Sequence, residues 1–498
     1  METPYPHTKD EEMTQRITID PITRLEGHGK IEIFLDEKGE VKDAYWQVVE
    51  LRGFERFCLG RPAEEMPRIV PNICGVCPSA HHMAATKALD DLYSVEPTPA
   101  ARLIRELEFN AFYIEDHYIH FFFLAAPDFI VGPEADPRER NVLGVIARVG
   151  KEIGSKVIEV RRKNRDIIRH IFGKAPHPEG GLPGGVPRGF TEEDRKWVVS
   201  TAESSLEFAK FAIQLFKDAV LSDKSCVDLI MNDAYSLETY YMALVDDLNR
   251  TTFYDGTVRV VDKDGKEYTK FHPRDYDKVI GEWVEPWTYI KLNHLKTLGW
   301  HGLKDGDGTS LYRVAPLARL NVGDSMLTPL AHKESQIMFD TLGGKPAHQT
   351  LATHWARLIC ALQAAELNVE IANHPLLTSK DIRNMNLRLR HKGVGCVEAP
   401  RGTLFHHYET DDDGILTKVN LIVATQNNAA PICLSIKKAA KAFVKGPDVR
   451  EGLLNMVEMA FRAYDPCLSC ATHSLPGSMP LTVNIRDHEG TLLRTIKR

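Results

Sequence analysis

Two matched cysteine motifs at opposite ends of the chain constrain it most. The first is Cys74-Gly75-Val76-Cys77, and the second is Cys467-Leu468-Ser469-Cys470. A histidine follows each second cysteine, His81 in one case and His473 in the other. If the fold brings the motifs together, four thiolates meet at one point, and soft thiolate clusters select zinc, nickel, copper or iron. The pattern therefore favours a shared metal site.

Three other interpretations compete with a catalytic metal. Structural zinc sites usually join cysteine pairs roughly 15–20 residues apart, so zinc fits this separation poorly but stays open. A redox dithiol would leave the other pair unexplained, and four inert buried thiols would not explain two matched motifs. The remaining cysteines are isolated in the sequence and do not form iron–sulfur ligand sets: Cys58, Cys226, Cys360, Cys396 and Cys433. With no phosphate-binding loop or dinucleotide motif either, any electrons must leave through a partner.

Composition excludes several classes of protein. A net charge of -7 argues against a nucleic-acid partner. Nine cysteines are too few for a disulfide scaffold at this length, so reduced thiols and a cytoplasmic location are expected. The polar stretch 1–16 has no apolar signal core, and no segment reaches the roughly 18 apolar residues of a membrane span.

Periodicity predicts long helices and a few hairpins. Helical patterns cover 100–126, 192–221 and 352–372, and the alternation in 30–33 and 41–49 predicts an antiparallel hairpin. A second hairpin, 257–270, is interpreted as an insertion.

Both cysteine pairs are predicted to lie at helix ends. Pro78 suits the first position of a helix, which places Cys77 at its N-terminus, where the helix dipole favours a thiolate. The second pair follows a helix that Asp448 and Glu451 are predicted to cap and that Pro466 ends.

Two polar features stay ambiguous in the sequence. Asp116 lies in an apolar helical pattern, so it is either on the outer face or paired inside. The segment 23–29 is charged and rich in glycine, and a solvated loop is the simpler interpretation.

Four segments together identify a family resemblance. The two cysteine motifs, Arg24-Leu25-Glu26-Gly27-His28 and Ala399-Pro400-Arg401-Gly402 resemble the large subunit of nickel–iron hydrogenases, in the family's order, from about residue 17 to the end. Asn72 departs from the pattern, because many members carry arginine there. The resemblance implies an α+β fold, a large single domain with a central bundle of long helices and a β-rich periphery.

The resemblance also implies a ligand set. Cys74 and Cys467 would be terminal nickel ligands, and Cys77 and Cys470 would bridge nickel to an iron that carries carbon monoxide and cyanide. His81 would lie beside a bridging sulfur.

Further residues are assigned by the same resemblance. Arg401, in its loop with Pro400, would lie over the open face of the metals and pair with Asp116 and Asp465. Thr425 would hydrogen-bond a cyanide.

Two more roles concern protons and a hard metal ion. Glu26 would relay protons from Cys467. Glu55, the main-chain oxygen of Leu421 and His473 would bind magnesium (or iron).

The resemblance divides the chain into three parts: a polar lead 1–16, the catalytic domain 17–473 and a maturation tail 474–498. A protease is expected to cut between His473 and Ser474. The alternative is an uncleaved variant whose tail adds a strand at 481–485.

The implied reaction is the reversible heterolytic cleavage of dihydrogen to protons and electrons. The electrons would pass to an iron–sulfur small subunit, and then, through a further electron-transfer subunit, to heterodisulfide reductase, as in the methyl-viologen-reducing, deazaflavin-non-reducing type. Alternatives are an NAD(P)-linked bidirectional hydrogenase, a relative of the quinone-site subunit of complex I, and a zinc-stabilised scaffold without catalysis.

Overall fold

The computed structural model describes residues 15–473 and the strands 482–486 and 492–497. Residues 1–14 of the predicted lead 1–16 lie outside the described residues, as do 474–481, which contains the residue after the predicted cleavage point, 487–491 and Arg498; the last two residues of the lead belong to a strand. The α-helices, numbered in chain order, are α1 Phe54–Phe57, α2 Met66–Ile69, α3 Pro78–Leu92, α4 Pro99–Ile119, α5 Val142–Val149, α6 Lys151–Phe172, α7 Glu192–Phe216, α8 Lys224–Ile230, α9 Tyr276–Val279, α10 Pro316–Val322, α11 Pro329–Leu342, α12 Thr353–Asn373, α13 Ala424–Asn427, α14 Ala429–Phe443 and α15 Glu451–Arg462.

The strands form small sheets around these helices. They are β1 Gln15–Ile19, β2 Gly29–Leu35, β3 Val41–Val48, β4 Tyr240–Val245, β5 Arg250–Thr251, β6 Thr257–Val261, β7 Glu267–Phe271, β8 Ile280–Trp283, β9 Leu292–Leu295, β10 Tyr312–Arg313, β11 Ser325–Met326, β12 Lys392–Ala399, β13 Gly402–Thr410, β14 Leu416–Ile422, β15 Thr482–Arg486 and β16 Leu492–Lys497. The sheets are β1-β2-β3, β12-β13-β14, β8-β9, β15-β16, and β11-β5-β4-β6-β7 with β10 paired to β4.

The long helices pack on one another in the centre, as predicted. Helix α12 contacts both α4 and α7, and α4 also contacts α6. The pattern predicted one helix over 100–126, but the α-helix ends at Ile119 and continues in wider π-helical turns, His120–Ala125 and Pro127–Val131. The α+β expectation, with long helices inside and sheets around them, is confirmed.

The predicted N-terminal hairpin is present. Strands β2 and β3 pair antiparallel with Ile33 opposite Ala44, and β1 adds a third strand that begins at Gln15. The sheet packs on α14, and Trp46 meets the ring of Phe461 from α15. This packing ties the start of the chain to the helix that precedes the second cysteine pair.

The second predicted hairpin, 257–270, is present as β6 and β7, and β6 also pairs with β4 inside the larger sheet. One local prediction is wrong. Helix α15 begins after Arg450 without a side-chain cap, and Glu451, predicted to complete a capping box with Asp448, instead pairs with Arg140. Here a tertiary contact outweighs the local pattern.

Helix α3, which begins just after Cys77, lies directly on β12. A Cβ added at Gly395 would be 2.0 Å from the main-chain oxygen of Ala84, and one at Gly393 would be 2.2 Å from that of Ala88. The two glycines therefore allow the helix backbone to approach the strand.

We expect Gly395→Ala to destabilise the domain by about 1–3 kcal/mol, because its methyl group would displace helix backbone. The measurement is thermal unfolding. Gly154→Ala is the matched control, since its Cβ would lie 3.4 Å from the Ile146 side chain at ordinary contact distance. Equal melting temperatures for the two variants would contradict the close approach.

Among the residues that the structure describes, no helix has both the length and the apolar composition needed to cross a membrane.

Candidate metal centre and catalytic site

The four cysteines of the two motifs meet in the structure. The Sγ–Sγ distances are 3.1 Å from Cys74 to Cys467, 3.2 Å from Cys74 to Cys77, 3.2 Å from Cys77 to Cys470 and 2.8 Å from Cys467 to Cys470. All four are buried, and their sulfur atoms lie within 4.8 Å of one another. The central prediction from the sequence, convergence of the two motifs, is confirmed.

The first pair is held by local backbone geometry. Cys74 is extended after the turn Val70–Ile73, and Cys77 is the residue that precedes α3. The backbone N–H groups of Val76 and Cys77 both donate to the sulfur of Cys74, each at 3.2 Å. These bonds favour a thiolate at Cys74.

The second pair leaves α15 through an unusual backbone conformation. Asp465 has φ 55°, which is rare for a residue with a side chain and turns the chain sharply before Pro466. The N–H of Cys467 then donates to Thr425 Oγ1 at 3.1 Å, and the N–H of Leu468 donates to the main-chain oxygen of Glu26 at 3.0 Å. The pair is thus anchored on two elements distant in sequence.

The four thiols can all be deprotonated together only if a cation neutralises their charge. Despite burial, hydrogen bonds from the other cysteines and the charge of Arg401 lower the pKa of Cys74 well below its usual value. Burial and the neighbouring thiols raise the pKa values of Cys467 and Cys470 well above theirs. Four thiolates at these distances repel one another in a low-dielectric site unless metal ions neutralise them, and soft metals prefer this donor set. The residues present therefore fit a centre of soft metal ions, such as the nickel and iron pair that the resemblance implies.

Arg401 lies in the two-residue turn between β12 and β13, next to buried Pro400. Its Nη1 lies 3.1 Å from Asp116 Oδ2, its Nη2 lies 2.8 Å from Asp465 Oδ2, and its Nε donates to the main-chain oxygen of Asp465 at 2.7 Å. The following Gly402 has φ 126°, and a Cβ there would be 2.2 Å from the oxygen of Val314. The turn therefore requires glycine after the arginine.

Asp116 is fully buried, so its placement on the outer face of the helix, left open by the sequence, is excluded. Burial raises the pKa of Asp116 to about 7. Burial acts in the same direction on Asp465, but Arg401 and His120 outweigh it and hold the pKa of Asp465 below its usual value. One arginine thus faces two carboxylates of different proton affinity.

Two partners of Asp465 were missed in the sequence. His120 Nδ1 lies 2.9 Å from Asp465 Oδ1, and Arg357 Nη1 lies 3.5 Å from Oδ2. His120 follows Asp116 by four residues in the same helical segment, and this spacing could have indicated that the two side chains lie on one face. No sequence pattern could have indicated Arg357, because it comes from α12, which is distant in the sequence.

The segment 23–29 is only partly solvated: Thr23 and His28 are exposed, whereas residues 24–27 are half-buried. Arg24 has φ 56°, and its side chain donates to Asp128 at 2.5 Å, to Asn455 at 3.0 Å and to the main-chain oxygen of Leu124 at 2.8 Å. This hydrogen-bond network, rather than an apolar pattern, holds the segment against the domain.

This network presents Glu26 to the cysteines. Glu26 Oε2 lies 3.0 Å from Cys467 Sγ and accepts from the N–H of Ser469 at 3.2 Å. Burial raises the pKa of Glu26, which suits a group that takes up and releases a proton.

The remaining predicted residues lie near the same centre. His81 Nε2 is 3.4 Å from Cys470 Sγ. Glu55 Oε1 accepts from the N–H of Leu421 at 2.8 Å, and His473 Nε2 donates to the main-chain oxygen of Cys470 at 2.5 Å. The other ring nitrogen of His473 is buried and has no hydrogen-bond partner among the described residues.

Known proteins match this chain over nearly its full length. Residues 16–51 match a family described as HoxL-like, and residues 52–143 and 316–473 match the family described as nickel-dependent hydrogenase. The chain belongs to the nickel-dependent hydrogenases. It is the large, catalytic subunit of a nickel–iron hydrogenase.

Individual relatives agree with this family. An F420-non-reducing hydrogenase of Archaeoglobus profundus has a subunit that is 48% identical over 97% of this chain and 99% of its own length. The beta subunit of the NAD-reducing hydrogenase HoxS of Cupriavidus necator is 36% identical over 97% of this chain and 99% of its own length. A solved NAD+-reducing [NiFe]-hydrogenase in the H2-reduced state superposes with a TM-score of 0.87 at 39% identity, covering 93% of this chain and 100% of that chain.

Proposed function

We propose that the four-cysteine centre cleaves dihydrogen, and that Arg401 and Glu26 are the protein side chains that take part in the reaction. The observation that carries this proposal is the position of both side chains against one thiolate cluster, Glu26 at Cys467 and Arg401 between two carboxylates. The bound metals supply the redox chemistry. Arg401 orients the substrate, and Glu26 takes the proton from the Cys467 sulfur and passes it outward.

The proposed ligand set is the one that the resemblance implies, and the convergence of the four thiols supports it. Cys74 and Cys467 would hold nickel, and Cys77 and Cys470 would be shared between nickel and an iron that carries carbon monoxide and cyanide. Thr425 already accepts a hydrogen bond from Cys467, so its own O–H remains able to donate to a cyanide nitrogen. Pro400, beside Arg401 in the turn, adds an apolar wall.

A magnesium site at Glu55, the Leu421 oxygen and His473 is a further proposal. The donor types suit a hard cation, which prefers oxygen ligands. The unpartnered buried nitrogen of His473 supports it, because a ligand would satisfy that atom.

We assign the electrons to an iron–sulfur small subunit, and beyond it, through a further electron-transfer subunit, to heterodisulfide reductase. The higher identity to the Archaeoglobus relative than to the NAD-reducing one supports the F420-non-reducing type, which the resemblance links to this acceptor. Reduction of NAD(P) is the second candidate, supported by the TM-score of 0.87. Reduction of a heterodisulfide or of NAD+ by dihydrogen in the purified complex separates the two.

Removal of a tail after His473 by a maturation protease, in the cytoplasm, completes the proposal. Among the described residues, β15 and β16 pair only with each other, so losing them would break no sheet of the catalytic domain. Intact mass of the active complex tests this: a chain ending at His473 supports cleavage, and a full-length active chain would contradict it.

Glu26→Gln tests the proton role. The amide keeps the volume of the side chain but cannot carry the proton, so we expect dihydrogen oxidation with a viologen acceptor to fall by about 10²–10⁴-fold. Exchange between dihydrogen and D2O should fall with it, while nickel content stays at the wild-type level.

The matched control is Glu50→Gln, which alters a more exposed carboxylate that contacts His28 in the same region. We expect wild-type turnover from it. If Glu26→Gln retained wild-type turnover and exchange, the proton role of Glu26 would be wrong.

A further inference from the structure

A continuous hydrogen-bonded chain leads away from one of the thiols. His81 Nε2 lies 3.4 Å from Cys470 Sγ, and His81 Nδ1 lies 3.1 Å from His406 Nε2. His406 Nδ1 lies 2.6 Å from the hydroxyl of Tyr408. All three side chains are fully buried. Two imidazoles therefore connect the sulfur to a phenol.

The two elements that carry the chain are rigidly packed. His81 comes from α3, whereas His406 and Tyr408 are two residues apart on β13 and so face the same side of that strand. His407, between them, faces the other side and meets the hydroxyl of Tyr276 at 2.8 Å. The two histidines of this strand are therefore each bonded to a tyrosine, His406 to Tyr408 of the same strand and His407 to Tyr276 of α9, and only the first pair reaches a cysteine.

Metal binding imposes a direction on this chain. A cysteine bound to metal is a thiolate and can only accept a hydrogen bond. His81 must then carry its hydrogen on Nε2, and because a neutral imidazole has one N–H, its Nδ1 accepts. By the same rule His406 donates from Nε2 and accepts at Nδ1.

Tyr408 is thus the terminal donor. The two imidazoles meet nitrogen to nitrogen at 3.1 Å, so one of these two nitrogens must accept and carry no hydrogen. Burial raises the pKa of Tyr408, which keeps its proton in place. Every N–H and O–H in the chain can then point toward Cys470.

We propose that Tyr408 is a positioning residue that fixes the tautomers of His406 and His81, so that both donate toward the Cys470 thiolate and reduce its electron donation to the metals. This inference rests on the proposed ligand role of Cys470. Hydrogen bonds to ligand sulfur atoms tune metal sites, and the partners behind the ligands act through them.

Without the phenol, His406 can carry its hydrogen on Nδ1 instead. Its Nε2 lone pair would then face the lone pair of His81 Nδ1, and the N–H···S bond would lose its support. Cys470 would become a stronger electron donor. Back-donation to iron would rise, and the stretching frequencies of carbon monoxide and cyanide would fall.

Infrared spectra of the purified complex test this with Tyr408→Phe. We expect the carbon monoxide and cyanide bands to shift to lower frequency and the reduction potential of the centre to fall. Tyr276→Phe is the matched control, since it removes the same kind of hydrogen bond from His407 on the same strand, and its bands should coincide with those of the wild type.

A second pair of variants distinguishes the proposed tautomer effect from a general disturbance of the fold. In His406→Gln, the side-chain amide donates to His81 without needing a tautomer, so adding Tyr408→Phe to this background should produce no further shift. Unshifted bands in the Tyr408→Phe single variant, or equal shifts in both backgrounds, would overturn the inference. Absence of bands from the mature wild-type complex would instead reject the proposed diatomic ligands, so the two failures are distinguishable.

Discussion

Cys77→Ala is expected to abolish dihydrogen oxidation and to leave the chain without a stable nickel and iron pair. The sulfur of Cys77 lies 3.2 Å from those of both Cys74 and Cys470, so its loss opens the cluster on the side of α3. The three thiols that remain cannot supply two bridges and two terminal ligands. Activity should fall to the background of metal-free protein.

The measurement is nickel and iron content together with viologen reduction under dihydrogen. Cys433→Ala is the control, because it also deletes one fully buried sulfur, in the apolar cluster where the sheet β1-β2-β3 packs on α14. The control should lose stability to a similar degree and keep its metals. Full metal content and turnover in Cys77→Ala would contradict the ligand assignment.

Arg401→Leu is expected to have the next largest effect. It would leave the buried carboxylates of Asp116 and Asp465 without the cation they share, and removing one partner of a buried ion pair costs about 3–5 kcal/mol. Turnover per nickel should collapse as well, since leucine cannot orient the substrate over the thiols. Stability is read from thermal unfolding, and turnover from viologen reduction normalised to nickel.

Arg401→Lys separates charge from geometry. Lysine keeps the charge but cannot donate to both carboxylates and to the main-chain oxygen of Asp465 in the fork-like arrangement of a guanidinium. We therefore expect partial recovery of stability and little recovery of turnover. Arg313→Lys, which changes a buried guanidinium bonded to Leu237 and Thr239, is the control for stability alone. Wild-type turnover in Arg401→Lys would mean that charge alone suffices.

The convergence of the cysteines could be predicted because the spacing of metal-binding residues is visible in the sequence. Two matched motifs, each with a following histidine, indicate one site, whatever the fold. The start of α3 was also predictable, since Pro78 marks the first helical turn and leaves Cys77 as the residue before it.

The direction of Asp116 could not be predicted for a physical reason. Helix α4 is buried on nearly all sides, so its hydrophobic pattern does not mark a solvent face. Neighbouring Glu115 pairs with Arg161 on α6, whereas Asp116 meets Arg401, and neither partner is near in sequence. The anchoring of the half-buried segment around Glu26 escaped prediction similarly, because the network of Arg24 is polar and reaches Asp128 and Asn455.

Metal analysis of the purified, tail-cleaved complex tests the central claim most directly. The four-thiolate centre predicts one nickel per large subunit, with iron in excess because the small subunit carries iron–sulfur clusters. X-ray absorption at the nickel edge should show sulfur ligation that Cys77→Ala abolishes. Zinc in their place, with no nickel at any stage of maturation, would contradict the account and favour a structural scaffold.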